Sequence, residues 1–256
     1  MKHAPLFKLL AGATLALTII AVPVAHAAHA DKDKKEALYP NATRKEPKLD
    51  LTSSKDQKAL NEGFDAVNAG DAAKAEAALQ PLVDKSKSKY AQAMALQGLA
   101  NLKYNAGDYK GAISLLNRAL VIGVMPNDTY FDAEFRLAGF QLADEQYQAV
   151  LDTLVKWRAE GKKDTASSHA LEGSAYYHLG KYPEAIAAMK QALSMTDKPQ
   201  SNWSQILMAS YSESGQVDQV VQLAEQQLAA NPNDPTALNN AIVGLTQAQK
   251  YPEAIK

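Results

Sequence analysis

The chain has no cysteine. That removes disulfides, thiol nucleophiles and thiolate-ligated zinc, and with them any lipid-bearing cysteine behind an export signal. It also lacks an excess of either charge, with 27 Lys and Arg against 28 Asp and Glu. Neither nucleic acid nor an anionic membrane surface is therefore expected as the main partner. Histidine is scarce. Of the five present, His3, His26 and His29 fall within the first 30 residues. His169 and His178 stand about two and a half turns apart on one expected helix, too far to share a metal ion. No Gly-rich phosphate loop, two-His zinc helix or calcium loop occurs, and no Ser or Asp has a base at a recognisable spacing. The sequence is thus expected to be no enzyme, with no catalytic, cofactor-binding or metal-binding residue.

What is present can build a core: 256 residues, 46% of them apolar and 7% aromatic, suffice for one or two folded domains. Residues 1–30 read as an export signal. Lys2 and Lys8 supply a positive start, residues 9–24 form an apolar run, and "AHAAHA" offers small-residue cleavage sites after Ala27 or Ala30. Pro23 and the shortness of the run argue against a retained membrane span. Losing Lys2 and Lys8 takes the basic count from 27 to 25 against 28 acidic residues. A mildly acidic, periplasmic mature protein without a lipid anchor is expected. Residues 31–53, rich in charge and carrying Pro40 and Pro47, are expected to be a flexible, exposed leader.

From residue 54 to 256 one phrase recurs. The last six residues, YPEAIK, nearly copy YPEAIA at 182–187. Aligning the stretches around each copy brings Gly70, Gly107, Glu145, Gly180, Gly215 and Gln249 into one register, with spacings of 37, 38, 35, 35 and 34. Gly at four of the six suits a tight turn after a first helix, because it takes positive φ without steric cost. A small or β-branched residue follows five places on, at Ala75, Ala112, Val150, Ala185, Val220 and Ala254. Four places further stands Leu79, Leu116, Leu154, Met189 or Ala224, completing an apolar helical face. The first helices answer with Gly63, Ala100, Ala138 and Gly173 where two helices would cross, whereas Met208 and Ile242 are large for that place and predict looser contact. The inserts "VIGVMPND" and "AEGKKDTASS" predict a bend or a longer loop around the third unit.

This pattern resembles the tetratricopeptide repeat (TPR): helix-turn-helix units of about 34 residues with a small residue on each helix at the crossing. Trp203 lies one place from the Trp of that pattern. The resemblance implies an all-α solenoid of about six units, the last incomplete, winding into a right-handed superhelix whose concave wall comes mainly from the first helices. Its inward places hold Phe64, Asn68, Asn101, Tyr104, Asn105, Phe135, Ser174, Tyr177, His178, Gln205 and Glu213. Aromatic rings with amides suit an extended peptide or a partner helix. Chaperone-binding relatives hold a C-terminal carboxylate in a Lys, Asn and Arg clamp. Asn101 matches one of those places, but Gln97 stands where Lys is expected, so that mode is not anticipated.

The plain signal, the leader "YPNATRKEPKL" and the junction "DKPQSNW" together resemble the periplasmic TPR proteins associated with the TonB, ExbB and ExbD energy-transduction system. That resemblance implies an adaptor of TonB-dependent outer-membrane nutrient uptake. An adaptor of envelope assembly, secretion or cell-wall enzymes remains the alternative.

Overall fold

The computed structural model describes residues 36–50, 53–230 and 232–247. The expected signal and the closing YPEAIK lie outside them. The described residues hold eleven helices and no strand: α1 (Ser54–Ala69), α2 (Ala72–Lys85), α3 (Lys89–Asn105), α4 (Tyr109–Ile122), α5 (Asn127–Ala143), α6 (Tyr147–Gly161), α7 (Ala166–His178), α8 (Tyr182–Ser194), α9 (Ser201–Glu213), α10 (Val217–Ala230) and α11 (Pro235–Gln247). They pair in order as five helix-turn-helix hairpins, and α11 opens a sixth. Two compact units divide between Asp164 and Thr165, so α1–α6 form one and α7–α11 the other.

All five described turns are built alike. Gly70, Gly107, Gly180 and Gly215 take φ of +74°, +78°, +72° and +74°, and Glu145 takes +59°. In each, the turn residue's N–H donates to the carbonyl three residues back, and the next N–H donates to the carbonyl five back. Gly70 N to Val67 O (3.1 Å) with Asp71 N to Ala66 O (2.9 Å) is repeated by Glu145 N to Leu142 O (3.2 Å) with Gln146 N to Gln141 O (2.9 Å). This pair of hydrogen bonds satisfies carbonyls that the first helix leaves open. In the first two hairpins the following residue then caps the second helix: the Asp71 and Asp108 carboxylates accept from Lys74 N (3.0 Å) and Gly111 N (2.9 Å). One residue thus ends one helix and starts the next.

The crossing residues are where the spacing predicts them. Ala75, Ala112, Val150, Ala185 and Val220 are wholly buried, as are Leu79, Leu116, Leu154, Met189 and Ala224. Leu79 wedges between two first helices: a Cβ on Gly63 would lie 2.3 Å from its Cδ2, and one on Gly98 2.6 Å from its Cδ1. Met208 is buried, and its hairpin, α9 with α10, packs less intimately than the other four, as the larger side chain predicts. Ile242 remains 41% exposed; the helix expected to cover it lies outside the described residues.

Two expectations change. The junctions around the third unit are not longer loops: residues 123–126 and 162–165 connect its helices to their neighbours, against the longer connection 195–200 between α8 and α9. The leader is not wholly exposed either. Residues 38–46 lie along the α5–α6 hairpin, with Tyr39 only 7% exposed in the core of the first unit. Its backbone polar groups find partners on those helices, which its charged composition did not reveal.

Candidate functional site

The eleven expected groove residues sort by register. The place directly after the crossing residue is buried. Phe64 belongs to the core, its ring 3.6 Å from where a Gly98 Cβ would stand. Ser174 is buried with its hydroxyl donated to Ala170 O of its own helix at 2.8 Å. Asn101 is 6% exposed. This place lies in the contact between helices, so Phe64 and Ser174 are packing residues, not groove residues. Phe135 is partly buried against Trp157, 5.2 Å between ring centroids, and also serves the core.

The place five residues after the crossing is open instead: Asn68, Asn105, His178 and Glu213 are all exposed. One residue before it stand Tyr104 and Tyr177, each half-buried. Tyr104 stacks on Phe140 at 4.5 Å and 15°, with Tyr109 at 5.4 Å. Tyr177 meets His178 edge-on at 5.4 Å and Tyr182 at 5.9 Å. Burial raises both phenol pKa values, and at Tyr177 the nearby Glu213 charge adds to the effect. Gln205 is intermediate in exposure. Of the five paired first helices, α3 and α7 therefore end in a ring beside an exposed polar side chain, while Val67, Leu142 and Ser212 hold that place in α1, α5 and α9.

In the first unit a buried polar network lies between α3 and α5. The Arg136 guanidinium donates to Asp132 at 2.7 Å and to Asn101 Oδ1 at 3.0 Å. Gln97, one turn before Asn101, is 1% exposed, and neither of its amide atoms has a hydrogen-bond partner. Asp132 balances Arg136, so this face presents amide groups more than net charge. Asp132 and Arg136 escaped the sequence reading; their signal is a charged i,i+4 pair at otherwise apolar places of α5. Glu134 faces α6, its carboxyl bonded to Lys156 Nζ at 2.6 Å. Burial pushes the Glu134 carboxyl above its ordinary range, with Lys156 opposing.

The docked leader forms a second, more elaborate arrangement. The Asp128 carboxylate accepts from the backbone N–H of Leu38 (3.1 Å) and Tyr39 (3.2 Å). Tyr39 lies 5.1 Å from Phe131 and meets Trp157 edge-on at 5.9 Å. Trp157 Nε1 donates to Phe131 O (2.9 Å) and to the Tyr39 hydroxyl (3.3 Å). Lys163 Nζ sits 4.3 Å from the centre of the Tyr39 ring and donates to Leu38 O at 3.0 Å. Gly161 forms the floor, since a Cβ there would stand 3.2 Å from the Tyr39 ring. Burial pushes the Tyr39 hydroxyl well above its ordinary pKa.

Further along, Thr43 N and Oγ1 donate to Glu160 O at 2.8 and 3.2 Å. Arg44 donates to Met125 O and Asn127 Oδ1, both at 2.8 Å, and to Gly123 O, and lies 4.3 Å over the Tyr130 ring. Asn127 returns a bond to Arg44 O at 2.9 Å, and Glu46 accepts Asn127 N at 3.1 Å. Asp50 then accepts Lys89 N (2.7 Å), Tyr90 N (2.9 Å) and Ser88 Oγ (2.8 Å) at the start of α3. Burial works against the Asp50 carboxylate, but these bonds outweigh it and hold its pKa below the ordinary value. The sequence carried one hint of this strap, the apolar Leu38-Tyr39 pair beside Pro40 in an otherwise charged stretch.

Among the described residues no group of three His, Cys, Asp or Glu side chains is placed to hold a metal ion. An open cleft of about 600 Å³ lies between α2, α3 and α4, lined by Val83, Gln92, Leu96 and Val121 among others. None of the expected groove residues lines it.

Comparison with known proteins agrees with this architecture. A TPR protein from Parabacteroides merdae is similar in structure, with a TM-score of 0.65 and 15% identity over 79% of this chain and 77% of that one. MamA from Desulfovibrio magneticus is similar with a TM-score of 0.55 and 20% identity, over 68% of this chain and 98% of that one. At these identities the likeness shows the fold alone. Anaphase-promoting complex subunit 3 of Dictyostelium discoideum is 30% identical over 97 residues, which cover 38% of this chain and 10% of that relative. The chain thus spans about a tenth of that relative's length. The model of the tetratricopeptide repeat-like domain matches residues 65–212, more than half of the sequence, and the chain belongs to that family.

Proposed function

We propose that this protein is a non-catalytic, exported scaffold that holds partner proteins through its first-helix faces and serves as a periplasmic adaptor of TonB-dependent uptake. TPR folds are protein-interaction scaffolds, and an array of stacked helical pairs offers its repeated surface to one extended ligand. The observation that carries the reading is the recurrence of one surface motif. In both units a half-buried tyrosine, Tyr104 or Tyr177, stands beside an exposed polar residue, Asn105 or His178. Rings supply buried area and amides read a peptide backbone, so affinity rests on a few anchors more than on charge.

Export rests on the positive start, apolar run and small-residue cleavage sites of residues 1–30, and the TonB assignment on the leader and the "DKPQSNW" junction. The test is site-specific photo-crosslinking in cells, with the reactive group in place of Asn105 or His178. Adducts to TonB, ExbB or ExbD are expected. Adducts confined to outer-membrane assembly factors or cell-wall enzymes would reject the uptake role and leave an envelope-assembly adaptor. N-terminal sequencing of the mature chain tests cleavage after Ala27 or Ala30.

A further inference from the structure

The leader is a peptide bound to a folded surface, and its contacts define what that surface recognises. Residues 38–46 meet partners that lie 79 to 125 positions away along the chain. They dock without becoming helix or strand. Three devices hold them. A carboxylate, Asp128, captures two successive backbone N–H groups. A pocket of Phe131, Trp157 and Gly161 receives a ring. Five residues on, Met125 O, Gly123 O and Asn127 Oδ1 surround a guanidinium. The planar, five-donor geometry of Arg suits such a set of acceptors, and a Lys ammonium would not span it.

We propose that this surface, formed by the α4–α5 connection and the α5–α6 hairpin, is a peptide-binding site that the leader fills in cis. Its partner is an irregular segment of another protein bearing an aromatic residue and, five positions later, an arginine. The site reads the backbone before the ring and the guanidinium after it, so charge alone does not select the ligand. A short tether gives a cis ligand an effective concentration in the millimolar range. The leader therefore keeps weak ligands out and yields only to a segment that matches both anchors. Leu49, between the docked stretch and the Asp50 anchor, is 45% exposed. The docked stretch and the Asp50 anchor are held by separate sets of partners, the first around α5 and the second at the start of α3.

This site lies at the start of α5 and on the α5–α6 hairpin, apart from Asn105 and His178, and its test uses purified components only, so it stands or falls independently of the uptake role. The probe is a fluorescent peptide of residues 36–50, added to the full chain and to its Tyr39→Ala/Arg44→Ala variant. A control peptide carries the same two substitutions. The variant, with its leader loosened and its pocket intact, should bind the probe at least about tenfold more tightly than the wild type does, in line with relief of cis competition. The control peptide should bind at least about tenfold more weakly than the probe, as loss of two anchors requires. A folded variant that captures no probe, or binds both peptides equally, overturns the proposal. If the double variant fails to fold, Arg44→Gln alone is used, with the same two outcomes. Unfolding of that variant as well would show that the fold requires the docked leader and would reject exchange. A concentration-dependent dimer of the wild type, dispersed by the probe, would assign the site to a second copy and overturn the partner reading.

Discussion

Replacing Glu145 by glycine should stabilise the protein. Glu145 is the non-glycine member of the five described turns, held at φ +59° by the same pair of hydrogen bonds that glycine makes in its siblings. A side chain in the left-handed region costs about 1 to 2 kcal/mol. Glycine returns about 0.4 to 1 kcal/mol of that through its greater freedom in the unfolded chain. Glu145 is exposed, so little packing is lost, and the net gain is about 0.5 to 1 kcal/mol. For a domain of 150 to 250 residues that corresponds to a rise in Tm of about 1 to 4 °C. Urea unfolding followed by circular dichroism should show a higher midpoint with an unchanged slope. The partner experiment is Gly107→Ala. At φ +78° with nothing within 4 Å of the new Cβ, its whole cost is backbone, and a loss of about 1 kcal/mol is expected. If the first change destabilises, or the second is neutral, the turn geometry is not what limits these hairpins.

Three further outcomes follow from packing and charge. Ala112→Leu or Ala185→Leu, at wholly buried crossing places, should cost about 1 to 3 kcal/mol by overpacking. Val121→Ala, at a position 86% exposed, should stay within about 0.5 kcal/mol in the same melts. Lys156→Met should destabilise in a pH-dependent way, because it strands Glu134, whose side chain is 3% exposed. The folded Glu134 carboxyl already titrates above its ordinary value of 4.5 because of burial, and losing Lys156 raises it further. The folded state then holds the proton more tightly than the unfolded state, so the penalty is absent below pH 4.5 and grows as pH rises. Solvent screening of Lys156, whose side chain is 52% exposed, limits the loss at pH 8 to about 1 kcal/mol. Equal losses at pH 4 and pH 8 would mean that Glu134 is not the group responsible.

The hairpin architecture was legible because local chemistry repeats. The register of Gly70, Gly107, Glu145, Gly180 and Gly215 marks the turn within every described hairpin, and it marks Glu145 even where the residue type argues against positive φ. The small crossing residues were legible for the same reason. What covers each groove candidate was not legible. Periodicity identifies a helix face but not what covers it, so Phe64 and Ser174 share their register with Asn101 and are buried by neighbouring helices. Asn68, Asn105, His178 and Glu213 lie further toward the helix end and escape that cover. The leader was least legible, since Tyr39 and Arg44 belong to no repeat and their partners lie far along the chain.

That separation has a consequence for the order in which the protein comes into being. The leader leaves the ribosome before the residues that receive it, which follow 79 to 125 positions later. At about 5 to 20 residues per second, the leader waits about 4 to 25 seconds for its site to be made. The first two hairpins can form in that time from neighbouring contacts, but the strap cannot close until the third is complete. Closure of the strap is therefore the last event in building the first unit, and the newborn chain carries its leader undocked until then.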